Sequence, residues 1–299
     1  MTATEPLSTA VAARPPGPGM ISERKQARRE RWRLLRRRPA FIFGSLVLLF
    51  WVVCAIAGER ITPYGAKQTG QPSSQGPGGD YLLGTDTLGR DVLSRVMVGA
   101  RDVLITAPLA ALLSVSIGTM LGLIGGYVRG VADEVISRVM EAVLAIPVIL
   151  IGLVVITNFG SSNLVLILTV AFLFTPIVFR TVRAATLAEA ELDYVMSARL
   201  RGEGPLFTMT REIIPNITGP IVVEATVRVG YAIFTIATLK FIVGGGDPGS
   251  PDWGNQIGQM YTQIPGDIWW PAVFPALAIA SLVIAVNLIA DSIETVYSS

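Results

Sequence analysis

The sequence predicts an all-α fold, a polytopic membrane bundle of six transmembrane helices, on three observations. It is 51% hydrophobic with a mean hydropathy of +0.56 and only 15% charged residues, a balance too apolar for a water-soluble domain. Its apolar residues gather into six runs of about 17 to 25 residues, the length a bilayer requires. Its basic residues favour alternate intervals between those runs, as the positive-inside rule expects, with the outer interval 58–102 an exception whose five basic residues are balanced by five acids.

The elements follow in order. Residues 1–38 read as a disordered, basic cytoplasmic tail. Its first part is Pro, Ala, Gly, Ser and Thr, and its second carries Arg24, Lys25, Arg28, Arg29, Arg31, Arg33 and Arg36–Arg38. Because an apolar run starts at Phe41, the basic stretch reads as a membrane anchor rather than a nucleic-acid arm or a cleavable signal peptide. The spans fall near Phe41–Ala57, Val103–Tyr127, Val139–Asn158, Leu164–Phe179, Ile217–Val243 and Pro271–Ala290. Residues 39–102 thus form a first transmembrane helix with an outer loop. Residues 103–299 form a five-helix core with an inward-facing loop at 181–216. The second and fourth intervals hold Arg129, Arg138, Arg180, Arg183, Arg199, Arg201 and Arg211, whereas 244–269 has no Lys or Arg and carries Asp247, Asp252 and Asp267. Both termini are therefore expected in the cytoplasm of a multi-pass cell-membrane protein.

Composition also excludes chemistry. With no His and a single Cys, Cys54, Ser–His–Asp and Cys–His centres and internal disulfides are ruled out, and a metal site of ordinary ligands is not expected. Cys54 lies in an apolar run and reads as a small buried hydrophobe. No G-x-x-x-x-G-K-[ST] occurs, so an ATP-driven process would need its ATPase on another chain. The chain is not expected to be an enzyme or to bind nucleic acid.

The interval Asp193–Pro220 is polar, Arg-rich and set between two apolar runs. Leu187–Leu200 is expected to form one helix with Leu187, Ala190, Tyr194, Val195 and Ala198 on its apolar face. Gly202 and Gly204 end it, and Pro205 opens a second short helix. The pattern Asp193-Tyr194-Val195-Met196-Ser197-Ala198-Arg199-Leu200-Arg201-Gly202, followed by Glu212-Ile213-Ile214-Pro215, resembles the cytoplasmic loop of membrane subunits of bacterial ABC importers. Met196, Ser197, Glu212 and Ile214 depart from the generic signature of that loop. A second stretch, Leu83-Gly84-Thr85-Asp86 to Gly89-Arg90-Asp91-Val92-Leu93-Ser94-Arg95, resembles the C-type permease of oligopeptide, dipeptide and nickel importers. On residues alone it reads as a capped surface helix with Asp86–Arg90 and Asp91–Arg95 pairs. Ile61–Tyr64, Ala145-Ile146-Pro147, Ser250–Gly254, Trp269-Trp270-Pro271 and Asn287–Asp291 match the same family in the right order. Trp269 and Trp270 alone would read as an interfacial aromatic belt.

The resemblance implies a type I ABC importer-like fold and a permease subunit for peptides. Its implied partners are a paralogous permease, two ATP-binding subunits that hold ATP and Mg²⁺, and an extracellular solute-binding protein. It assigns ATPase docking to Asp193, Tyr194, Ala198, Arg199, Gly202 and Pro215, and an extracellular contact or gate to Asp86, Arg90 and Asp91. Glu224 and Arg228 lie inside the fifth span, where each unpaired charge costs on the order of 3 kcal/mol, so they either pair at i,i+4 or line a translocation path. Alternatives are a secondary ion-coupled carrier, a docking scaffold, and a nickel or glutathione importer subunit of the same family.

Overall fold

The computed structural model describes residues 34–244, 247 and 249–297, so residues 1–33 of the tail, Gly245, Gly246, Pro248 and residues 298–299 lie outside the described residues. Among those described, the structure is helical, with only two isolated β-bridges. Five helices are long and apolar enough to cross a membrane: α1 (Pro39–Ile61), α2 (Val92–Val128), α5 (Asn163–Glu189), α8 (Thr218–Val243) and α10 (Trp270–Tyr297). A sixth crossing needs α3 (Gly130–Leu144) and α4 (Val148–Phe159) together, and these are bent by 82°. The predicted continuous third span is thereby corrected. Pro147 supplies no N–H and Ile146 before it is pushed out of helical geometry, so the ladder stops at Ala145.

Two further boundaries move. The helix that carries the second span begins at Val92, ahead of the apolar run at Val103, because Asp91 caps it by accepting from the Ser94 N–H at 2.8 Å and the Ser94 hydroxyl at 2.6 Å. The fourth span runs on to Glu189, so the loop placed at 181–216 begins nearer Ala190. The single helix expected over Leu187–Leu200 is broken there, with Leu192 extended before α6 (Asp193–Leu200).

Chain direction sorts the molecule into two ends. One carries residues 190–217, and the other carries 62–91 and 244–269. Between them α2 and α5 lie in close contact, since α2 presents Gly118, Gly122 and Gly126, spaced by four on one face. A Cβ on Gly122 would sit 2.8 Å from the Val182 Cβ and 3.0 Å from the backbone of Arg183 and Phe179.

The buried residues form two cores. The larger, towards the 62–91 end, holds Trp51, Cys54, Val92, Phe174, Leu239, Trp253, Trp270 and Leu282. The smaller joins span residues Val115, Leu123, Val178 and Val182 to Ala190, Val195, Ile213 and Ile217 of the opposite end. Cys54 is buried, in keeping with its expected role. Trp270 is also buried and donates to the Thr85 carbonyl at 2.8 Å, so of the Trp pair only Trp269 is exposed enough for an interfacial belt.

Candidate functional site

The 190–217 end is two short helices folded against the ends of the spans. α6 stops by a glycine-terminated turn: the Gly202 N–H donates to the Arg199 carbonyl at 2.9 Å and the Glu203 N–H to the Ala198 carbonyl at 3.2 Å. Gly202 has φ +77°, the left-handed region that closes such a turn. Pro205 then opens α7 (residues 205–216), whose middle, Thr208–Ile213, winds as a π-turn. The π-turn carries the chain up to Pro215. The Ile214 N–H reaches back to the Met209 carbonyl, and the Asn216 amide satisfies the Glu212 carbonyl at 2.8 Å.

The two helices are clamped to each other and to the spans. The Tyr194 hydroxyl donates to Glu189 Oε1 at 2.6 Å and accepts from Asn216 Nδ2 at 3.0 Å. Partial burial and then the Glu189 carboxylate push this phenol up to about 12, so it keeps the proton it donates. The Arg199 guanidinium lies 4.5 Å from the centre of the Tyr127 ring at the end of α2, and Arg129 pairs with Glu191 at 3.1 Å. The Arg183 guanidinium grips both oxygens of Asp133, tying α5 to α3.

This geometry divides the expected docking residues. Asp193, Gly202 and Pro215 are exposed, as is Arg199, although its guanidinium also rests on the Tyr127 ring; Tyr194 is half-buried and engaged within the chain, and Ala198 is fully buried. The outward surface is instead made by Met196, Leu200, Leu206 and Phe207, each about half exposed or more. Their signal was legible: Met196 and Leu200 are spaced i,i+4 on the face opposite Val195 and Ala198.

At the other end, Asp86, Arg90 and Asp91 are brought together but buried, at 2%, 3% and 1% exposure. The capped surface helix expected there is absent. Residues 85–91 form a turn closed by a Thr85–Asp91 bridge, and Asp91 starts α2. The Asp86–Arg90 pair forms at 2.6 Å, but the expected Asp91–Arg95 pair does not. Arg95 instead donates to the carbonyls of Ala66 (3.2 Å) and Ser250 (2.7 Å), which staples both loops of this end to α2. The Asp86–Arg90–Asp91 cluster is therefore an internal brace, and the surface a partner could touch is made by other residues.

In the middle of the bundle, Glu224 Oε2 accepts from Arg228 Nε at 3.0 Å, and Glu224 Oε1 accepts from Thr181 of α5 at 2.7 Å. The Arg228 guanidinium also lies over Tyr231 (5.0 Å) and Phe174 (5.7 Å). Neither charge is left unpaired. Tyr231 and Phe234 continue outward on α8, both more than half exposed. Sequence reasoning missed a third charged centre. Lys240 of α8 donates to Asp102 of α2 at 2.5 Å and to Asp252 at 2.8 Å, joining segments 150 residues apart in which charge spacing gives no cue.

Comparison with known proteins follows from this geometry. Residues 118–298 match the family model of the binding-protein-dependent transport system inner membrane component. Residues 27–77 match that of the N-terminal TM domain of oligopeptide transport permease C. The chain is 34% identical over 270 residues to a glutathione transport system permease protein of Pectobacterium atrosepticum, covering 89% of each. It is 34% identical to a dipeptide transport system permease protein of Haemophilus influenzae, over 89% of this chain and 92% of the other. A di/tripeptide transport system permease protein of Pseudomonas aeruginosa is 32% identical over 89% and 90% of the two chains.

Proposed function

The chain belongs to the inner membrane components of binding-protein-dependent transport systems, and from that premise we propose that it is the C-type permease subunit of an ATP-driven importer of small peptides. As a family member it is a multi-pass inner-membrane permease that works with an ATPase and a solute-binding protein. The finer assignments are our reading: a paralogous permease alongside, two ATP-binding subunits, and both termini in the cytoplasm. ATP and Mg²⁺ would be held by the ATPase subunits, since this sequence has no phosphate-binding loop.

One observation carries the reading. The 190–217 helices share a core with the spans on their inner side and leave Met196, Leu200, Leu206 and Phe207 exposed on the other. An apolar face outside the bilayer suits a groove on a partner. The shared core suits passing that partner's motion to α2, α5 and α8. Docking would then involve the exposed Asp193, Gly202 and Pro215 directly. Tyr194, Ala198 and Arg199 would act by keeping the face rigid.

The relatives named above carry glutathione, dipeptides and di/tripeptides, all of which bear both an ammonium and a carboxylate. The Glu224–Arg228 pair offers one charge of each sign to such a solute, on a helix whose next turns expose Tyr231 and Phe234. The test is to purify the tagged chain and identify what comes with it, then to reconstitute the complex with its binding protein. The expected result is ATP-dependent peptide uptake, abolished when Leu200 and Leu206 are both changed to Glu although the chain still inserts. Uptake driven by an ion gradient in the lone chain would refute the proposal.

A further inference from the structure

The end of the bundle opposite the docking helices carries two adjoining cavities, of about 230 and 560 Å³. Asp102, Asn163, Ser250 and Asp252 line both, so these residues form the partition between them. Lys240 faces the smaller one and is the hub of that partition. Each carboxylate is anchored on its own element. Asp102 of α2 accepts from Asn163 Nδ2, at the start of α5, at 2.6 Å, while Asp252 caps α9 (Trp253–Met260) by accepting from the Asn255 N–H at 2.9 Å. The shared member is the ammonium, on a long flexible stem from α8.

One ammonium between two carboxylates is a switchable arrangement. Breaking a buried pair is costly because it strands a charge. Here Lys240 can release Asp102, which is about a quarter exposed and keeps the Asn163 amide, and remain paired with the buried Asp252, so one side of the partition can part without stranding a buried charge. We propose that Lys240 is a latch across this end of the permease, and that it must let go of Asp102 for the two cavities to join and open this end to solute. The latch rests on the permease reading above, and it assigns Asp102, Lys240 and Asp252 a role that the docking helices do not share.

Two measurements on the reconstituted transporter test it. Asp102→Asn is isosteric, leaves the Lys240–Asp252 pair and weakens the latch on one side. ATP hydrolysis without binding protein is expected to rise by about fivefold or more, the low end for coupling between two sites. Asp247→Asn makes the same charge change at an exposed position on the smaller cavity and is expected to leave hydrolysis unchanged. Second, Ser250→Cys places a thiol on the partition, in a chain whose only native cysteine is buried. A membrane-impermeant maleimide is expected to label it about fivefold or more faster in the vanadate-trapped complex than in the nucleotide-free one. Unchanged hydrolysis in Asp102→Asn together with equal labelling rates, in a complex that transports normally, would overturn the latch alone. A wild-type complex with neither ATPase activity nor uptake would overturn the permease reading and the latch with it.

Discussion

Replacing Gly202 separates backbone geometry from side-chain crowding at the docking end. Gly202 sits at φ +77°, and a Cβ built on it meets nothing within 4 Å. Any penalty for a side chain there is therefore conformational: about 1–2 kcal/mol for an ordinary L-residue in the left-handed region, more for a β-branched one, least for Asn. Two residues on, Gly204 has φ −68° and ψ 157°, a conformation open to any residue before proline, and it too has open space around it. Gly202→Ala should shift the balance between the ordered turn and its alternatives by roughly 5- to 30-fold. The assay is uptake per ATP hydrolysed in proteoliposomes, with binding protein present. This ratio should fall in the order Asn, Ala, Val at position 202 and stay near wild type for Gly204→Ala. The reasoning fails if alanine at 204 is as harmful as at 202, or if Asn at 202 is as harmful as Val.

Three other outcomes are expected. Gly122→Leu drives a side chain into Val182 and the backbone of α5 and should cost about 1–3 kcal/mol as overpacking; an unaltered unfolding midpoint in detergent would argue against that helix contact. Tyr194→Phe removes both hydrogen bonds that join Glu189 to Asn216, a local loss of roughly 1–3 kcal/mol. Hydrogen exchange should quicken in 193–216 and not in α2 or α8, and uniform exchange across the chain would contradict the clamp. If Glu224 and Arg228 only neutralise one another, the double Ala variant should tolerate more than either single one; three equally inactive variants would instead place the pair in the solute path.

The bundle is legible because bilayer length is a hard constraint: the runs at Phe41–Ala57 and Pro271–Ala290 lie within helices of the structure, and the run at Ile217–Val243 does so from Thr218 on. Errors arose where a local signal was outvoted by a run-length argument. Pro147 marks the 82° bend plainly, yet the apolar run continues through it. Asp91 heads α2, but the polar residues after it, Ser94, Arg95, Arg101 and Asp102, resemble loop in the sequence, and only the structure shows that the first two are buried. The break before Asp193 had no local signal, since neither Gly nor Pro occurs between Leu187 and Tyr194. On either side of it Ala190 and Val195 are both buried in the smaller core, a tertiary arrangement that no local pattern announces. The stretch proposed for docking is legible in the sequence, but its exposed face is not. Which of its residues point outward depends on how α6 and α7 pack around Val195 and Ile213.

The 37 residues of α2 amount to a rod about 55 Å long, against a hydrocarbon layer of roughly 30 Å. To hide all of it in lipid would take an inclination near 57°, steeper than the ~40° limit seen for such helices. Part of the rod must stand clear of the bilayer. Arg95 near its head fastens the strap at Ala66 and the loop at Ser250, and Tyr127 at its foot seats Arg199. A rocking movement started at the foot would thus be felt at the head as a swing of the whole cap, with no chain of small adjustments in between.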